Sequence, residues 1–143
     1  MSDVDTRGAD ALRWLALACG DLVTAEAAQK EWRVPARNVA FHAQQAVEKA
    51  PKAALVLEAK TAPKSHDLDE LRNRLPTGWR VRNSHRDLAR LTQFAVEARY
   101  PDDVPPINKL QSSASLRQAQ TIYRSICADF ESRGVPVTDL VCT

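Results

Sequence analysis

Between Phe41 and Leu55 the chain reads FHAQQAVEKAPKAAL, which sets paired glutamines, Glu48, Lys49 and Lys52 beside an alanine-rich face, with a histidine near the start. His42, Gln45, Lys49 and Lys52 follow one another at intervals of three, four and three residues. On a helix that spacing places them on one flank within about 80°. An imidazole, an amide and two ammonium groups on one flank suit a phosphate or nucleotide, because the cations hold the anion while the amide reads a base or sugar. A solvated polar face is the alternative, the usual fate of lysine and glutamine on a helix.

A second concentration of charge lies between residues 72 and 90, where Arg72, Arg74, Arg80, Arg82, Arg86 and Arg90 are opposed by Asp87 after an acidic helix start. Arg82, Arg86 and Arg90 recur every four residues and form one stripe if that segment is helical. Trp79 beside them has two readings: stacking on a base, or closing the core under a solvated arginine face.

These side chains must be held by helices. The chain has 143 residues, enough for a single core, with few aromatics, four glycines and a formal net charge of +2. Alanine and leucine are common, which favours helix over sheet. The expected architecture is all-α, an antiparallel up-and-down bundle of about five helices. A single domain should span 1–143, with its core at about 5–133 and a tail at 134–143.

The first helix is expected from about Asp5 to Glu31, with Leu12, Leu15, Cys19, Leu22 and Val23 on its inner side. Pro35 suits the first turn of the second, which continues to about Glu58. Val39, Ala43, Ala46, Val47, Ala50, Ala54 and Leu57 form one arc there, and Phe41 and Leu55 lie on another side. This helix therefore buries two faces, either between two layers or at a dimer interface. Pro51 removes one hydrogen bond inside it and predicts a kink.

Ser65 is the expected N-cap of a short third helix with Leu68, Leu71 and Leu75 inside. Asn83 or Ser84 should cap a fourth helix, lined by Leu88, Leu91, Ala95 and Ala98 and reaching Tyr100. Residues 101–106 form a linker. The last helix runs from about Asn108 or Ser112 to Arg133 on a stripe of Leu116, Ala119, Ile122, Tyr123, Ile126 and Phe130, and ends at Gly134 and Pro136. Cys19, Cys127 and Cys142 lack metal-ligand spacing and read as core or idle thiols. The sequence shows neither a leader nor a membrane span, so cytoplasm is the expected compartment.

FHAQQAVEKAPKAAL resembles the FxAQQAxEKALKAxL helix of the HEPN family (higher eukaryotes and prokaryotes nucleotide-binding domain). SHDLDEL resembles its HDLxxL helix, and ARYPDD its ARYP turn. The three blocks keep the family's order, and Pro51 stands where a leucine is usual. The resemblance implies a helical domain, usually dimeric and often encoded beside a small nucleotidyltransferase. Its members divide between nucleotide-binding or accessory proteins and metal-independent ribonucleases.

In those ribonucleases an arginine and a histidine spaced R-x4 to x6-H act near the dimer axis. Two segments here meet the spacing: Arg37–His42 in RNVAFH and Arg80–His85 in RVRNSH. The histidine would accept the ribose 2'-hydroxyl proton and the arginine would stabilise the phosphorane-like transition state. Residues five apart on a continuous helix diverge by about 140°. Arg37 and His42 thus cooperate only if the helix begins near Asn38, or across a twofold axis. Arg80, in a loop, is free to fold back toward His85.

The residues expected to hold a nucleotide or phosphate are Gln45, Lys49, Lys52, Arg82, Arg86 and Arg99. His66 and Asp67 are expected to be structural, bonding nearby backbone, and Arg99 and Tyr100 to anchor the turn into the last helix. No metal and no cofactor are expected. The first functional expectation is a homodimeric module that binds a nucleotide or RNA backbone beside a nucleotidyltransferase partner, as half of a toxin–antitoxin pair. A metal-independent endoribonuclease and a non-catalytic dimerisation module are the alternatives.

Overall fold

The computed structural model describes residues 3–84, 87–95, 101–103 and 105–138. The helices are α1 (Asp3–Lys30), α2 (Ala36–Leu57), α3 (Leu68–Arg74), α4 (Val81–Ser84), α5 (Ala89–Thr92) and α6 (Lys109–Ser132), with one 3-10 turn at Pro101–Asp103. This is the expected all-α bundle, and no described residue lies in a strand. Among the described residues no helix is long and apolar enough to cross a membrane.

α2 is the central element, packed against α1, α6, α3 and α5. Its buried residues fall on both sides, from Val39, Ala43, Ala46, Val47 and Ala50 to Leu55. Alanines on this helix let its neighbours approach closely. The helix runs through Pro51, which is buried, without interruption to Leu57.

The direction of each leg follows from side-chain contacts. α1 and α2 are antiparallel across a short turn. The 59–67 connection climbs back to the middle of α2, where His66 meets Glu48. α3 then descends to Trp79, whose Nε1 donates to Glu58 at 2.9 Å. α4 and α5 climb again, bringing the Ala95 carbonyl to Gln45. α6 descends beside α2, from Lys109 at the Trp32 carbonyl to Arg133 at Glu58.

The chain departs from expectation at several points. Pro35 precedes α2 as its N-cap residue and is not within the first turn. Val23 is 46% exposed, because the inward arc of α1 runs through Leu15, Ala18, Leu22 and Ala25. Asp67, not Ser65, caps α3: its carboxylate accepts from the Asp69 and Glu70 amides, while Ser65 Oγ accepts from Asp67 N. Among the described residues the fourth helix is two single turns, α4 and α5. Asn83 and Ser84 lie inside α4, and Asp69 of α3 takes the Leu88 amide just before α5. Leu88 and Leu91 are nonetheless buried as expected, and Ala98 and Tyr100 lie outside the described residues.

α6 carries the expected stripe, every member of it buried. Asn108 and Gln111 close a capping box at its start, and Gly134, at φ +78°, follows its end. Cys19 and Cys127, neither of them in a disulfide, lie on either side of Tyr123, and Cys142 lies outside the described residues.

Candidate functional site

α2 positions the His42 flank, and α1 answers it with a carboxylate. Asp21 Oδ1 lies 3.1 Å from His42 Nδ1, and Lys49 Nζ donates to Asp21 Oδ2 at 2.5 Å. The carboxylate can only accept, so Nδ1 carries the proton and Nε2 is left as the acceptor of the neutral ring. The His42 side chain is 30% exposed and that of Lys49 23%, so both reach the surface.

A second polar group continues around α2. Gln45 Nε2 donates to Gln44 Oε1 at 2.6 Å, and Gln44 Nε2 reaches Glu48 Oε1 and the His66 carbonyl, each at 3.5 Å. Glu48 Oε1 is also 2.5 Å from His66 Nδ1, and Glu48 Oε2 is 3.6 Å from Lys52 Nζ. Gln44 and Glu48 are buried, while the His66 side chain is 62% exposed. His66 thus bonds a buried carboxylate by its ring, against the expectation that it would bond nearby backbone.

These contacts rank the cations of the flank. Lys52 is only 11% exposed, paired with Glu48 and 5.8 Å from the centre of the Trp14 ring. Its charge is spent inside the protein. Lys49 shares its carboxylate with His42 and keeps two N–H donors for other partners.

Arg37 lies in the first turn of α2, exposed and already helical, since the helix begins at Ala36. Continuous helix therefore turns Arg37 away from His42 within one chain. Arg80 donates from its backbone N and its Nε to Asp129 at 2.9 and 2.8 Å. This corrects the picture of an arginine free to fold back, because α6 claims one edge of its guanidinium. His85, Arg86 and Arg99 lie outside the described residues.

Arg82 Nη1 donates to Thr77 Oγ1, and Arg90 is on α5, so Arg82 and Arg90 do not share one helical stripe. Trp79 is 1% exposed, edge-on to Phe130 with a 5.7 Å centroid separation, and the Arg133 guanidinium lies 4.0 Å over its ring. It closes the core and offers no face to a base. Arg80 and Arg82 sit at the Glu58 end of the bundle and Arg37 at the opposite end. The named residues form one flank on α2 and two outlying groups.

The sequence profile of the HEPN domain matches residues 11–129, more than half of the chain. The chain belongs to the HEPN domain family. No curated protein and no solved structure matches it. Membership in the HEPN family supports a nucleotide- or RNA-related function at the level of the family. The matched span holds Asp21, His42, Lys49, Glu48, His66 and Asp129 together.

Asp21 and Asp129 do not stand out in the sequence. Asp129 left a trace, a carboxylate beside Phe130 and three residues beyond Ile126 in an apolar stripe. Asp21 left less, since it borders the buried arc of α1, where polar residues are ordinary.

Proposed function

We propose that this HEPN domain binds the phosphate of a nucleotide or the backbone of RNA on the His42 flank of α2, acting as a homodimer. It works with a small nucleotidyltransferase partner as half of a toxin–antitoxin pair. The observation that carries the reading is the shared carboxylate, with Asp21 holding both His42 and Lys49. Lys49, held by Asp21, keeps two N–H donors for the anion, and His42 Nε2 donates to it when the ring is protonated; side chains so held lose less conformational freedom on binding than free ones do. Gln45, one turn away, offers its amide oxygen to a base or sugar, its Nε2 being bonded to Gln44 and to the Ala95 carbonyl. The partner and the paired system rest on family membership. Titration of labelled RNA and of ATP into wild type, His42→Ala and Lys49→Ala tests the reading. It predicts weaker binding by both variants, and equal affinity in all three would contradict it.

The Asp21–His42 contact favours a second reading, the metal-independent endoribonuclease. A carboxylate on Nδ1 fixes the tautomer in which Nε2 accepts a proton, the requirement for a general base. Because α2 is continuous from Ala36, Arg37 must come from a second copy. Arg37→Ala and His42→Ala should then each abolish cleavage of total RNA in chelator, while a mixture of the two regains it through one composite site per heterodimer. Cleavage unaffected by either substitution, or a mixture that stays inactive, would remove this assignment; His85→Ala reports on the other pair.

A further inference from the structure

Trp79, the aromatic that the sequence offers for stacking, is buried, and a different tryptophan is presented instead. Trp32, in the turn between α1 and α2, is 76% exposed. Lys109 Nζ donates to its carbonyl at 2.6 Å, which pins the turn to the start of α6. Cations surround it in sequence and space: Lys30, Arg33 and Arg37 are exposed, and Lys109 joins them from α6. The one carboxylate in these segments, Glu31, is bonded to Arg33 at 2.6 Å, and that bond holds its pKa below the usual carboxylate value. Beside the turn a groove of about 270 Å3 is lined by Gln29, Glu31, Val34, Val39, Lys109 and Ser112.

We propose that this end of the bundle is a single-stranded RNA site, in which Trp32 stacks on a base and Lys30, Arg33 and Arg37 follow the phosphates. The proposal rests on the RNA reading above and adds the strand type and a second contact surface. An exposed aromatic among cations is the combination by which proteins hold unpaired strands, since every base has a face to stack and every linkage a charge. A-form duplex keeps its bases stacked inside and offers none to Trp32. Lysine is depleted at protein–protein contacts, so Lys30 and Lys109 beside Trp32 favour an anionic strand over a protein occupant. The groove is near the small end of ligand pockets, and suits one base or sugar better than a longer fragment.

The test is the affinity of a short fluorescein-labelled oligouridine, and of an RNA duplex of equal length, for wild type, Trp32→Ala and Trp32→Phe. Circular dichroism confirms that all three are folded. Wild type should prefer the single strand, Trp32→Ala should weaken its binding about tenfold, and Trp32→Phe should keep most of it. If wild type binds oligouridine and Trp32→Ala binds it equally, this site is wrong while the RNA reading stands. If wild type binds neither RNA, both fall. A change in self-association by sedimentation, with oligouridine affinity unaltered, marks the turn as a protein contact and overturns the proposal.

Discussion

Asp21 on α1 lies 3.1 Å from the Nδ1 of His42 on α2, and its other oxygen takes Lys49 at 2.5 Å. The Asp21 side chain is 13% exposed, so these contacts form largely away from water, where losing one partner is costly. Asp21→Ala should destabilise the fold by about 2 kcal/mol in urea titration. Val23→Ala, on the exposed side of α1, should change it by less than about 0.5 kcal/mol. Equal effects would show that the carboxylate has no structural part in the α1–α2 contact.

The Glu48 network makes an asymmetric prediction. Glu48 is buried, accepts from His66 and Gln44 and is ion-paired with Lys52, so Glu48→Ala leaves Lys52 without its partner in a site only 11% exposed. A loss of about 3 kcal/mol is expected. His66→Ala removes the exposed member and should cost under about 1 kcal/mol, because solvent screens that pair. Thermal unfolding of the two variants measures the difference, and a reversed order would contradict the assigned burial.

α2 ends on a residue suited to improvement. Ala59 has φ +57°, the left-handed region, while Lys60 N donates to Leu55 O at 2.8 Å to close the helix terminus. Glycine occupies that position without the Cβ penalty. Ala59→Gly should therefore raise stability by about 1 kcal/mol in chemical denaturation. A loss of similar size would mean that chain entropy outweighs the relief.

The thiols predict a response to alkali. Burial pushes Cys127 up to about 11, and raises Cys19 and the Tyr123 hydroxyl between them. An unfolded thiol loses its proton first, so the folded state binds more protons between pH 9 and 11, and stability falls across that window. Below pH 9 the contribution is complete. Modification by a thiol reagent at pH 8 should be slow for the folded protein and rapid after unfolding. Fast reaction of Cys19 or Cys127 in the folded chain would contradict the burial.

The long helices were legible because each holds a sustained apolar arc, and the last is closed by a recognisable signal, Gly134 with Pro136. The α4–α5 segment was not. Leu88 and Leu91 carry helical spacing, but the Leu88 amide goes to Asp69 of α3, a partner 19 residues away that local spacing does not encode. The same holds for the candidate site. Periodicity placed His42, Gln45, Lys49 and Lys52 on one flank, but Asp21 and Glu48 decide which of those cations is left for a ligand. Trp79 is buried for a comparable reason: Glu58 at the end of α2, and Phe130 and Arg133 at the end of α6, converge on it, whereas Trp32 sits in a turn and is exposed.

The central claim, that the His42 flank meets an RNA or nucleotide phosphate, is most directly tested by nuclear magnetic resonance of the His42 ring during titration with oligouridine. The account predicts that the His42 ring signals shift and saturate together with those of the Lys49 ammonium group, and that both shifts are lost in Asp21→Ala. Binding that saturates while His42 and Lys49 stay unmoved would contradict it.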